Sequence, residues 1–153
     1  MEGQRMKDNN YSIVEGILYN YPKLKVEIDN LRLDLEEAKE VVGITGASDN
    51  EKAGSPTYAF SSVVENEVID REKNLDRRIR AIESSIQKKE RQLKKVDNIL
   101  STLTEDELIL IEMKYFKRYS VGRICGVLEL SEDGFNKKRK NIILKRLMPL
   151  FVL

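Results

Sequence analysis

Histidine is missing from this sequence altogether, and so is tryptophan. Without histidine the chain lacks the side chain that most often serves as general base and as metal ligand. The single cysteine, Cys125, excludes a disulfide within the chain and a cysteine-rich metal site. Both facts fit a reducing cytoplasm, and neither a metal nor any other cofactor is expected. Proline occurs three times, and aromatic residues make up 7% of the chain beside 35% charged residues. That mix suits long solvated helices better than a sheet protein. No apolar run approaches the roughly 20 residues that cross a bilayer, so no membrane is expected. The opening "MEGQRMKDNN" is polar, unlike a secretory signal.

Charge is abundant but unevenly spread. Residues 1–55 hold 7 cations against 11 acids, residues 56–103 hold 10 against 8, and residues 104–153 hold 10 against 7. From Gly134 to Arg146 there are six cations and no acid. Such asymmetry points toward nucleic acid. Carboxylate pairs such as Glu36-Glu37 and Asp106-Glu107 sit at solvated helix positions, with no nucleophile or Gly-rich phosphate loop nearby. No catalytic constellation is present, and the chain does not read as an enzyme.

Hydrophobic spacing predicts an all-α protein. "SIVEGILYN", Ser12 to Asn20, reads as a short helix opened by a capping box of Ser12 and Glu15. Tyr21-Pro22 is expected to interrupt it, with Pro22 as the first residue of a second helix. That helix runs to about Val42 on a seam of Leu24, Ile28, Leu31, Leu35, Ala38 and Val42, with Gly43 as its C-terminal cap. Residues 43–56 are rich in Gly, Ser, Asp and Asn and read as a flexible loop. A long helix then starts at Ser55-Pro56 and continues to about Leu103. Its seam is Leu75, Ile79, Ile82, Ile86, Leu93, Val96, Leu100 and Leu103, with Lys89 alone at a seam position. Such a helix spans roughly 70 Å at 1.5 Å per residue and needs a partner. The Pro22–Val42 helix can fold back on it as an antiparallel hairpin but is too short to cover it. A homo-oligomer joined along Leu75, Ile79, Ile82, Ile86, Leu93, Val96 and Leu100 is therefore expected.

The last third reads as three short helices. Thr104 and Glu107 form a capping box, and Leu108, Ile109, Ile111, Glu112, Tyr115 and Phe116 follow as the packed side. Ser120 caps a helix through Leu128, and Ser131 caps another that runs to about Leu147. Two helices joined by so short a turn form a helix-turn-helix. With Phe135 as the buried reference, Asp133, Asn136, Lys137, Lys140 and Leu144 point outward and Glu132 flanks the helix start. The exposed N-terminal part of such a helix enters a DNA major groove. Glu132, Asp133, Asn136 and Lys137 are thus the candidates for base contact, although the two acids also favour a helix N-terminus on their own account. Ser120, Arg123, Ser131, Arg139, Lys140 and Lys145 are the candidate phosphate contacts. Lys138 is read as the cation nearest the packed side. Cys125 reads as a small core residue.

These residues carry a resemblance. "LTEDELILIEMKYFKRYSVGRICGVLELSEDGFNKKRKNIILKRL", Leu103 to Leu147, resembles region four of bacterial sigma factors, with Tyr115-Phe116, Ser120, Ile124, Leu128 and Ser131 at the matching places. The order of coiled coil, Gly/Ser loop and helix-turn-helix is similar to that of the phage late transcription regulators called RinA and ArpU. The turn position that the sigma family usually gives to glycine is Glu129 here, Cys125 stands for the usual alanine, and no promoter-melting region is visible. The resemblance implies residues 1–103 as an oligomerisation or polymerase-contact region and residues 104–153 as a DNA-binding domain. It also implies a sequence-specific regulator, an activator of phage or prophage late genes, acting on double-stranded promoter DNA with host RNA polymerase. Two rival readings remain: a phage small terminase subunit recognising packaging-site DNA, and an adaptor that binds polymerase or a sigma factor without touching DNA.

Overall fold

The computed structural model describes residues 1–46 and 61–151. Among these residues there are five helices and no strand. They are α1 (Glu2–Gly46), α2 (Ser61–Leu100), α3 (Glu105–Ile111), α4 (Val121–Leu128) and α5 (Glu132–Asn141). The ends of α3 and α5 widen into π turns, Glu112–Phe116 and Ile142–Leu147. Ser55, Pro56 and most of the expected loop lie outside the described residues.

The N-terminal third departs from the sequence pattern. α1 is continuous over 45 residues, with Pro22 inside it. Ser12 is not a cap: its hydroxyl donates back to the Asp8 carbonyl at 3.2 Å, as a serine inside a helix does. An interior proline costs about 3 kcal/mol because it removes a hydrogen bond and crowds the preceding turn. Packing around it offsets that cost. Val14 and Leu18 are fully buried, the Tyr21 ring stacks on Phe116 at 4.7 Å, and the Tyr21 hydroxyl donates to Asp97. Gly43 likewise does not end the helix, which continues to Gly46.

The chain divides into two compact units. One comprises Met1–Val26 and Arg91–Leu153, and the other comprises Glu27–Glu90. Residues from both sides of position 103 therefore share the first unit. Its core joins Val14 and Leu18 of α1 and Val96 and Leu100 of α2 to Leu110, Ile111, Met113, Tyr115, Ile124, Phe135, Ile142, Ile143 and Leu147. Leu110 and Met113 are buried where Ile109 and Glu112 were expected, and Ile109 is exposed. The π turn, closed by Lys117 N–H donating to the Glu112 carbonyl at 2.8 Å, changes the angular spacing that a regular helix would keep.

In the second unit α1 and α2 run in opposite directions. Lys89 meets Glu27 at 2.6 Å, Arg32 meets Glu90 at 2.7 Å and Lys39 meets Glu83 at 3.4 Å. Ile28, Ala38 and Ile86 are buried, while Leu75, Ile79 and Ile82 are half-buried. Lys89, the odd residue of the seam, is neutralised by Glu27 of the same chain. The short partner helix from which an oligomer is expected is not what the structure has. α1 runs on to Gly46 instead of stopping at Val42, and its N-terminal part covers Val96 and Leu100 in the first unit, with Leu93 half-buried.

Candidate nucleic-acid interface

α3 starts on a complete capping box: the Glu107 N–H donates to Thr104 Oγ1 at 3.4 Å, and the Thr104 N–H donates to Glu107 Oε2 at 3.0 Å. Arg146 then ties the far end of the chain back to this corner, 3.4 Å from the Glu107 carboxylate and 3.1 Å from the Thr102 carbonyl. α4 is capped by Ser120, whose hydroxyl accepts from the Arg123 N–H at 3.3 Å. It ends at Glu129, which adopts the left-handed conformation at φ 53° and ψ 44°. A side chain there costs about 1–2 kcal/mol relative to glycine. The Leu130 N–H donates to the Cys125 carbonyl at 3.0 Å, which closes the turn.

Ser131 caps α5 by accepting from the Gly134 N–H at 3.1 Å. A Cβ added at Gly134 would lie 3.1 Å from that capping hydroxyl, so glycine has a local reason to be there. Phe135 and Ile124 are both fully buried and fix α5 against α4. On the other side of α5, Glu132, Asp133, Lys137 and Lys140 are exposed and Asn136 is half-exposed. Lys145 is exposed as well. Arg123 is exposed with its guanidinium 3.8 Å from the centre of the Tyr119 ring, a cation–π contact that orients it. Ser120 and Ser131 are exposed too, with their oxygens engaged as caps.

Arg139 is the exception. The sequence makes it a candidate phosphate contact flanking the groove, whereas only 22% of its side chain is exposed, with a guanidinium nitrogen 4.0 Å from Glu15 Oε1. Phe135, Arg139, Ile143 and Leu147 recur every four residues, so Arg139 falls within the buried stripe of its helix. Lys138, read from the sequence as nearest the packed side, is exposed instead.

The same Glu15 oxygen accepts from the Tyr115 hydroxyl at 2.7 Å, and Tyr115 packs edge-on against Tyr19 at 4.8 Å. Burial, reinforced by the Glu15 carboxylate, raises the Tyr115 phenol far above its ordinary value. Tyr11 is also raised, chiefly by burial and against the pull of Arg139. The Tyr11 hydroxyl and Arg139 Nε are buried beside them, and Tyr11 interacts with both Arg139 and Tyr115. Tyr11, Glu15, Tyr115 and Arg139 thus form a polar cluster that links α1 to α5. The sequence reading missed it because Glu15 looked like half of a capping box. The signal available was a carboxylate one residue from the apolar side of a helix.

Among the described residues no group of three or more His, Cys, Asp or Glu is placed to hold a metal ion, and no helix is long and apolar enough to cross a membrane. Comparison of the chain with protein-family models, with curated proteins and with solved structures gives no match.

Proposed function

We propose that this chain is a sequence-specific DNA-binding regulator of transcription in which α4, the turn at Glu129 and α5 act as a helix-turn-helix. In this reading α3 completes a three-helix module, and the paired stretches of α1 and α2 form a helical hairpin that serves assembly or contact with RNA polymerase. The observation that carries the reading is the division of α5 and the π turn after it into two sides. Phe135, Ile142 and Ile143 are buried, while Asp133, Lys137 and Lys140 remain outward beside Asn136, directly after a capped turn. A B-DNA major groove admits one α-helix, and its base edges offer acceptors that suit lysine and donor–acceptor pairs that suit asparagine. Arg123, Lys138, Lys140 and Lys145 then lie against phosphates, while Arg139 holds α5 to Glu15. A late-gene promoter of a phage or prophage is the target that the sequence resemblance suggests.

The test is a titration of variants against the bound sequence, found by mapping occupied DNA in a bacterial host, and against a scrambled duplex. Lys137→Ala and Asn136→Ala are expected to cost roughly 1–3 kcal/mol on the specific duplex and to relax preference at one position. Lys140→Ala is expected to weaken all sequences alike and to flatten the salt dependence. If Lys137→Ala and Lys140→Ala both bind like the parent protein, the reading of α5 fails. Occupancy confined to a packaging start would support a small terminase subunit, and polymerase binding without DNA binding would support the adaptor.

A further inference from the structure

Within the second unit, the charges of α2 are sorted by helix face. Over residues 73–90 the acids are Asp76, Glu83 and Glu90, seven residues apart. Glu83 and Glu90 each bond a cation of α1, Lys39 and Arg32. A seven-residue step returns to the same side of a paired helix, so Asp76 shares that side. The side turned away from Leu75, Ile79, Ile82 and Ile86 carries Lys73, Arg77, Arg80 and Lys88, with Ser84 among them, all exposed. No carboxylate of residues 73–90 shares it, although exposed Asp70, seven residues before Arg77, stands on the same side at its N-terminal end. None of the four cations forms an ion pair with a described residue, and Asp76 makes none with Arg80 four residues on.

A merely solvated helix face gains from opposite charges three or four residues apart and loses from like charges at those spacings. Lys73 with Arg77, and Arg77 with Arg80, stand at the repelling spacings. The face therefore carries an excess of like charge, only partly offset by Asp70 and by Asp76 at its edge, and is complementary to a polyanion.

We propose that this face of α2 binds the phosphate backbone of duplex DNA without reading its sequence. From Lys73 to Lys88 it extends roughly 22 Å, about six steps of one strand at 3.4 Å per phosphate. A second copy is the competing occupant, because the outward side of α1 in this unit carries Glu36, Glu37 and Glu40. The two outward sides face opposite ways from a pair of packed helices, however, so such a contact would be head-to-tail and would build a ring or a filament rather than a two-fold dimer. A duplex demands no such array. The inference extends the DNA-binding reading but stands on different residues.

The experiment uses the full chain with Lys73, Arg77, Arg80 and Lys88 all replaced by Gln. It is titrated at several salt concentrations against a random-sequence duplex of about four helical turns, beside the parent and the Lys137→Ala/Lys140→Ala variant. Loss of four phosphate contacts is expected to reduce the magnitude of the slope of log affinity against log salt by about 3.6. Affinity should weaken at least tenfold on every sequence tried. An unchanged slope overturns the proposal. So does a variant that binds the duplex normally but no longer self-associates in sedimentation, since the occupant is then a second copy. The thermal midpoint without DNA should match or exceed the parent's, because repulsion has been removed. A lower midpoint would make the cations part of folding and would overturn the proposal. If the α5 variant binds like the parent while the α2 variant fails, the inference stands and the helix-turn-helix reading falls. A parent that binds no duplex ends both.

Discussion

In the unit of Met1–Val26 and Arg91–Leu153, thirteen residues from all five helices and their π turns are buried together. In the unit of Glu27–Glu90, the buried residues among those described are Ile28, Ala38 and Ile86, and ion pairs flank them. The first arrangement surrounds each side chain on several sides, so shape decides which residues fit. The second closes one narrow seam between two helices, where half-burial is the rule and exposed ion pairs contribute little. One helix, α1, serves both arrangements with the same regular backbone. What differs is the number of helices packed around it.

The largest test of this contrast is Phe135→Ala against Ile86→Ala. Phe135→Ala is expected to cost about 3–5 kcal/mol, and Ile86→Ala about 2 kcal/mol, near the lower end for a large aliphatic, because its seam can collapse from two sides. Chemical denaturation reads both, and equal losses would erase the distinction between the units. Next is Pro22→Ala. If the helix persists through Pro22 only because packing offsets its cost, the variant gains about 1–3 kcal/mol. A loss of stability would mean that Pro22 contributes a contact beyond its backbone effect.

Glu129→Gly should stabilise the first unit by about 1 kcal/mol, because glycine tolerates the left-handed turn. A thermal midpoint a few degrees higher is the readout. Lys39→Ala, which breaks an exposed pair in the second unit, should change stability by only about 0.2–0.5 kcal/mol. A cost comparable to that of Ile86→Ala would show that charge rather than the seam holds this unit. The last effect is silent at neutral pH. Tyr11, Tyr21 and Tyr115, all in the first unit, have phenols raised above the ordinary value of 10.0. The unfolded chain loses those protons first, so their contribution is complete below pH 10 and is lost as pH rises above it. Alkaline titration should therefore destabilise the first unit, and Tyr115→Phe should make the decline shallower.

The candidate site was legible where the signal was local. Thr104 with Glu107, Ser120 and Ser131 each cap the helix that the sequence predicted, because a cap is decided by a hydroxyl and a backbone N–H three residues on. Glu129 was placed in the turn by the resemblance to a sigma region, and its left-handed conformation fits a position where that family has glycine. With Phe135 taken as the buried reference, helical periodicity marked Lys137 and Lys140 as outward. The same spacing puts Arg139, four residues after Phe135, about 40° from that reference, so its place among the phosphate contacts conflicted with the pattern. The true buried side is set by whatever packs against it, here Glu15 from more than a hundred residues earlier in the chain.

The sequence by itself determined that the chain is helical, which apolar residues form the α2 seam, and where the three C-terminal helices begin. Each follows from interactions within a few residues or from a repeat of three and four. Only the tertiary structure decided that Pro22 does not break α1, that Val14 and Leu18 belong to the core of the C-terminal helices, and that Arg139 meets Glu15. Those outcomes are sums of local costs and distant contacts. The burial of Leu18, the stacking of Tyr21 on Phe116 and the carboxylate of Glu15 can outweigh a local preference of a few kcal/mol, and no window of neighbouring residues contains them.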